Sequence, residues 1–225
     1  LDFDKVLANR EIREARNARP YVNYREGVDQ CIAAGRDIVR NEQPSSHQRL
    51  LERSVVITFV THIEVYFRDM LDAVFRVCKP DYFLPHLKHI HQSKYSIEEL
   101  IHIYQKQIHP LELVSSDMSF QNTDKIEKVF SRFLGGSLWN AAINIQVRIP
   151  NRPETAVSFE AEYLEGLKRI FELRHELVHN PKNSPHLTPD LLKDITNADG
   201  LILAVDCVLS KMLSDHMDPL LEEKG

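Results

Sequence analysis

The sequence predicts an all-α fold, a bundle of long antiparallel helices with an irregular connector in the middle, and three observations carry that prediction. Apolar residues recur at threes and fours through several long windows. Capping residues, Pro and Gly fall between those windows, and only Ile143 to Ile149 has the look of a short strand. The 225 residues suffice for one large core without staples, so a single domain is expected over 1–225, with 80–157 as a connector or insertion.

Composition narrows the setting. With 43% hydrophobic and 27% charged residues, the chain suits an ordinary packed domain, and its longest apolar run, Leu201 to Val205, falls far short of the roughly 18 residues of a membrane span. Cys31, Cys78 and Cys207 are odd in number and lack ligand-like spacing, which predicts reduced thiols and a cytoplasmic location with no membrane partner. A net charge of -5 argues against long-range attraction of a polyanion but allows a local basic patch. The segment 128–153 offers one: Lys128, Arg132, Arg148 and Arg152, no Asp or Glu, and Trp139, the only tryptophan. These four cations are the candidate RNA-binding residues.

The elements follow in order. Leu1 to Arg19 carries a sparse apolar stripe (Phe3, Val6, Leu7, Ile12) among alternating charges, predicting a surface helix with a solvated charged face that ends at Pro20. A second helix is expected from about Val22 to Val39. Ser45 or Ser46 can cap the longest pattern, in which Leu50, Val56, Phe59, Val60, Ile63, Phe67, Met70, Leu71 and Val74 recur for about eight turns. The β-branched run at Val55 to Thr58 does not break the period, so helix wins over strand. Glu64 shares that buried stripe, and it either reaches water at the stripe's edge or pairs with a buried Arg.

Pro80 ends the long helix, and Asp81 to Lys94 is expected to be irregular. It contains His86, His89 and His91, a cluster without a neighbouring Cys or carboxylate to complete a metal's coordination sphere. Ser96 to Glu99 resembles a capping box opening a helix to about Gln107, and Asn122 or Thr123 caps another that stops at Gly135-Gly136. Between Ser137 and Thr155 periodicity fails, predicting a long loop or small insertion. It resumes at Ser158 through Tyr163, Leu167, Ile170, Phe171, Leu173, Leu177 and Val178 until Asn180-Pro181 stops it. Thr188-Pro189 then opens a final helix with Pro at the first position, with Gly200 as a weak point.

The chemistry concentrates in Arg174-His175-Glu176-Leu177-Val178-His179-Asn180. One interpretation is a zinc site, with His175 and His179 as ligands on one helix face and Glu176 as general base. It lacks a third ligand: Lys182 and Pro185 stand where the extended pattern needs Gly and His. The other interpretation pairs Arg174 with His179. RNA is cleaved without metal when a base takes the 2′-OH proton, an acid protonates the leaving 5′-oxygen and a cation offsets charge on the phosphorane. Histidine transfers protons near neutral pH, and arginine offers a planar phosphate fork. On a regular helix, however, a spacing of five turns the two side chains about 140° apart. A distorted last turn or a second protomer must then bring the complementary residue.

Arg174 to His179 resembles the R-x4-6-H signature of the HEPN superfamily, with His175 at the polar position after the Arg. The resemblance implies an all-α bundle, no cofactor, and a homodimer whose motifs meet in one cleft as a metal-independent endoribonuclease leaving 2′,3′-cyclic phosphate ends. Arg174 and His179 carry over as catalytic residues, with His175, Glu64 and Asn180 in support. Many relatives are toxins or defence effectors, so RNA and a regulatory partner protein such as an antitoxin are the implied partners. Others are inactive binding modules, which is the alternative function; a zinc hydrolase is the distant one.

Overall fold

The computed structural model describes residues 2–41, 47–90, 94–149, 152–180 and 186–222, of which 148–149, 152–156 and 221–222 are described as backbone only. The protein is all-α apart from one hairpin. Its elements are α1 (Phe3–Glu14), α2 (Pro20–Arg40), α3 (Gln48–Val77), α4 (Pro80–Ile90), α5 (Ile97–Gln105), α6 (Pro110–Asp117), α7 (Thr123–Leu134), α8 (Leu138–Asn144), β1 (Val147–Ile149), β2 (Arg152–Val157), α9 (Ala161–His179), α10 (Pro189–Asp215) and α11 (Pro219–Glu222). No helix among the described residues is long and apolar enough to cross a membrane.

Everything is built around α3. Val56, Phe59, Val60, Ile63, Phe67, Met70, Leu71 and Val74 are buried, as their spacing requires, whereas Leu50 at the start of the pattern is 62% exposed. At 30 residues α3 runs about 45 Å and touches α2, α4, α6, α9 and α10. Its N-cap is His47; Ser45 and Ser46 lie outside the described residues.

α2 lies antiparallel to α3 at very short range. Gly27 sits beneath the His62 ring, where any Cβ would overlap ring atoms, and Cys31 Sγ donates to the Val55 carbonyl at 3.1 Å. α10 closes the bundle with Ile195, Ala198, Leu201, Ile202, Val205 and Leu209 inward, and it passes through Gly200 unbroken. Three side-chain bonds tie these helices. Tyr24 Oη donates to Asp199 at 3.2 Å, Arg25 Nη1 to Asp199 at 2.6 Å, and Tyr66 Oη to Asp206 at 3.0 Å. Burial pushes both tyrosine phenols well above their ordinary value, so they remain donors.

Several local expectations are corrected. Pro20 opens α2 at its first turn rather than closing the helix before it, which ends at Glu14; a ring without N–H costs nothing there. The charges around α1 are only partly a solvated face: Asp4, Lys5, Glu11 and Glu14 are exposed, whereas Arg10 pairs with Glu112 at 2.8 Å, Arg13 with Asp72 at 3.0 Å and, just past the helix, Arg16 with Asp69 at 3.1 Å. Asp81 to Ile90 is helical, because Pro80 sets the first turn and Phe83 supplies an inward anchor. Pro85 interrupts one backbone bond without ending it. The segment 110–117, which has no counterpart in the sequence reading, forms α6 under a capping box from His109 and Glu112.

Of the two expectations for 137–155, the described residues take the form of a small insertion with a short strand, not a long loop. Ser137 caps α8, and β1 pairs antiparallel with β2, with Val147 opposite Val157 and a register shift after Arg148. Other termini match their signals: Ser96 and Glu99 form the capping box of α5, Asn122 caps α7, Gly135 ends α7 at φ 65°, and Thr188 caps α10.

Candidate active site

The site lies at the end of the bundle where α9 terminates. Leu167, Ile170, Phe171 and Leu177 turn into the core and fix the helix's rotation, so His175 and His179 point away from that core, while Arg174, four residues after Ile170 and three before Leu177, shares the inner stripe and is half-buried. α9 remains α-helical to His179, and Asn180 caps it by donating its N–H to the Glu176 carbonyl at 2.8 Å. The last turn is therefore regular, and Arg174 and His179 stand about 140° apart around the axis.

Arg174 is half-buried. Its Nε is enclosed without a hydrogen-bond partner, and no hydrogen bond joins Arg174 or His179 to another described side chain. A buried donor without a partner is costly, so the Arg174 Nε–H is an unsatisfied group at this end of the helix. His175 and His179 are both exposed, and their rings lie 4.3 Å apart, tilted by 48°, the contact expected of i and i+4 neighbours. Among the described residues no group of three or more His, Cys, Asp or Glu is arranged to hold a metal. That includes His86 and His89 on α4; His91 lies outside the described residues.

Glu64 takes other partners. Its side chain is 13% exposed and meets Arg68 at 3.4 Å on its own helix and Gln121 at 3.4 Å, so its described contacts do not reach Arg174. The acidic residue of α3 at the motif end is Glu52. It is only 2% exposed, takes a hydrogen bond from Gln48 Nε2 at 2.9 Å through Oε1, and faces His186 Nδ1 at 3.4 Å through Oε2. The signal for Glu52 is present in the sequence, since it precedes Val56 by four and Phe59 by seven and so lies on the same buried stripe. His186 carries no such signal.

The four candidate RNA-binding cations lie on α7 and on the hairpin. Lys128 is exposed on α7 beside a cavity of about 230 Å³ that Lys125 and His89 also line. Arg132, on the same helix, is half-buried and close enough to His86 to help burial lower its pKa. Arg148 and Arg152 lie on β1 and β2, with side chains outside the described residues. Trp139 is core, not a stacking platform: it is 6% exposed, donates Nε1–H to the Thr123 carbonyl at 3.2 Å and meets Phe67 edge-on. Its own N–H donates to Glu127, so a carboxylate sits within this part of the fold.

The model of the RiboL-PSP-HEPN family matches residues 30–211, from within α2 to the last turns of α10. The chain belongs to the HEPN family. The match embraces α3, the motif helix and the closing helix, the elements that frame Arg174 and His179 in this structure. No curated protein and no solved structure matches the chain. Membership is consistent with nuclease or other nucleic-acid-related function.

Proposed function

We propose that this HEPN protein is a metal-independent endoribonuclease acting as a homodimer, with Arg174 of one protomer and His179 of the other meeting across the dimer axis. The observation that carries this reading is the state of Arg174: a partly enclosed guanidinium with no described hydrogen-bond partner, on a helix whose exposed end also presents His179. The regular last turn of α9 supports composition from two protomers, since it leaves the pair divergent within one.

The residues then divide the work. A 2′-oxygen attacks the adjacent phosphorus as an imidazole removes its proton, the P–O5′ bond breaks as a second imidazole protonates the leaving oxygen, and a 2′,3′-cyclic phosphate remains. Arg174 offsets the charge that builds on the phosphorane oxygens. His175 shields His179 through its ring contact, and Asn180 holds the helix end. Glu64, whose described contacts are with Arg68 and Gln121 and not Arg174, stays in this reading only as indirect support through α3. Lys128, Arg132, Arg148 and Arg152 are proposed to carry flanking phosphates, with loss of each weakening RNA binding and its salt dependence. A regulatory partner protein, in the manner of an antitoxin or a defence component, belongs to the same reading, as does a cytoplasmic setting, which the three free thiols suit.

The 140° divergence also favours a second reading, an inactive helical module that binds protein or nucleic acid. A zinc hydrolase built on His175, Glu176 and His179 has its ligand pair in register but lacks a third ligand among the described residues. Incubation with single-stranded RNA in EDTA separates all three. The proposal expects cleavage that survives chelation and disappears in Arg174→Ala and His179→Ala. Cleavage abolished by EDTA and restored by zinc would support the hydrolase, and absence of cleavage with intact RNA binding would support the module.

A further inference from the structure

The segment between α9 and α10 brings a third imidazole to this end of the bundle, and α3 holds a carboxylate against it. α9 and α10 run antiparallel, as the Arg169 to Asp194 pair at 2.7 Å shows, so His186, just before α10, returns to the level of the motif's last turn. Its side chain is 70% exposed, whereas that of Glu52 is 2% exposed. Glu52 Oε1 is satisfied by Gln48. Oε2 has no close hydrogen bond, and the group it faces is His186 Nδ1 at 3.4 Å.

A buried carboxylate with one oxygen unsatisfied is expensive unless a charge or a donor completes it. An imidazole donating Nδ1–H to that oxygen does so, and the same bond fixes the tautomer whose Nε2 is an open proton acceptor facing solvent. The distance is long for a finished hydrogen bond, as such contacts often are before substrate draws them in. His186 is therefore a third imidazole at this end of the bundle, beside His175 and His179, with its free nitrogen open to solvent.

We propose that His186 is a catalytic acid–base of the ribonuclease site and that Glu52 is its positioning residue; the proposal rests on the ribonuclease reading above. In the cleavage step His186 exchanges one proton with the 2′-oxygen or the 5′-oxygen through Nε2, and His179 handles the other. Proton bookkeeping then closes, with one imidazole gaining the proton the other gives up.

The test uses the full-length chain and a short single-stranded RNA, with His186→Ala, Glu52→Gln and Glu52→Ala beside wild type. Circular dichroism melts verify the fold of each variant. His186→Ala is expected to lower kcat by about 10²-fold with KM within about twofold, and added free imidazole is expected to restore part of the loss. Glu52→Gln is expected to lower kcat about tenfold without changing KM. Wild-type kcat in His186→Ala, or a loss that imidazole does not rescue, would overturn the assignment while leaving the ribonuclease reading in place. If wild type itself cleaves no RNA, the ribonuclease reading falls and this assignment falls with it.

Discussion

Replacing Asp199 by alanine removes the one acceptor shared by two residues of α2. Tyr24 is 2% exposed and its hydroxyl donates to Asp199 at 3.2 Å; without that acceptor the buried hydroxyl costs about 1–3 kcal/mol. Arg25 loses contacts of 2.6 and 2.7 Å, but its side chain is 33% exposed and it keeps Asp29 on its own helix. Solvent screening limits that loss to about 1 kcal/mol. The sum is about 2–4 kcal/mol, a large share of the marginal stability of a domain. Urea unfolding reads it as a drop in midpoint of about 1 M or more at unchanged slope. Asp199→Asn keeps an acceptor for Tyr24 and loses only the charge, so it is expected to cost about 1 kcal/mol. An Asp199→Ala midpoint equal to wild type, or an Asp199→Asn loss as large as that of Asp199→Ala, would refute the view that this shared acceptor holds α2 to α10.

Other expectations follow from the same contacts. Gly27→Ala places a methyl within the His62 ring and is expected to cost about 1–3 kcal/mol, read in thermal melts. His62→Ala should relieve it, so that the double variant is no less stable than His62→Ala alone, and a stabilised Gly27→Ala would contradict the close helix approach. Asp206 has its pKa raised by burial, against the hydrogen bonds from Tyr66 and Ser210. A folded value above the unfolded one stabilises most below the ordinary aspartate value near 3.8, and that contribution is lost as pH rises through the folded value. Asp206→Asn, which retains an acceptor for Tyr66, should therefore gain on wild type as pH rises above the ordinary aspartate value near 3.8 in urea melts; a constant difference would refute it. Arg174→Lys keeps the charge but not the planar fork, so RNA cleavage is expected to stay at least tenfold below wild type in the EDTA assay.

How much of this was legible in the sequence depends on how local its causes are. α3, α9 and α10 were readable because their apolar periods run uninterrupted for many turns and their caps, such as Thr188-Pro189, sit within three residues of the first turn. α4 was hidden because Pro85, inside the helix, and the histidines imitate a connector, although Pro80 suits a helix start. α8 and the hairpin are too short to establish a period. The arginines of α1 looked solvated because their partners lie 53, 59 and 102 residues away, a separation that no local pattern records. The same holds for the site. Arg174 and His179 announce themselves by spacing, and the buried stripe hinted at an acidic residue on α3. Only folding shows that Glu52, rather than Glu64, stands opposite an imidazole at the motif end. A lone tryptophan in a basic stretch has the same local signature whether it faces RNA or, as Trp139 does, Phe67.

The central claim is that Arg174 and His179 act together across two protomers, and mixing two inactive variants tests it most directly. Arg174→Ala and His179→Ala proteins, each devoid of cleavage alone, are unfolded together and refolded at equal concentration. In a mixed dimer one trans pair is intact, so random association is expected to restore about one quarter of wild-type activity, as a symmetric composite site requires. A mixture as inactive as its components, with mixed dimers demonstrated by mass spectrometry, would contradict the account.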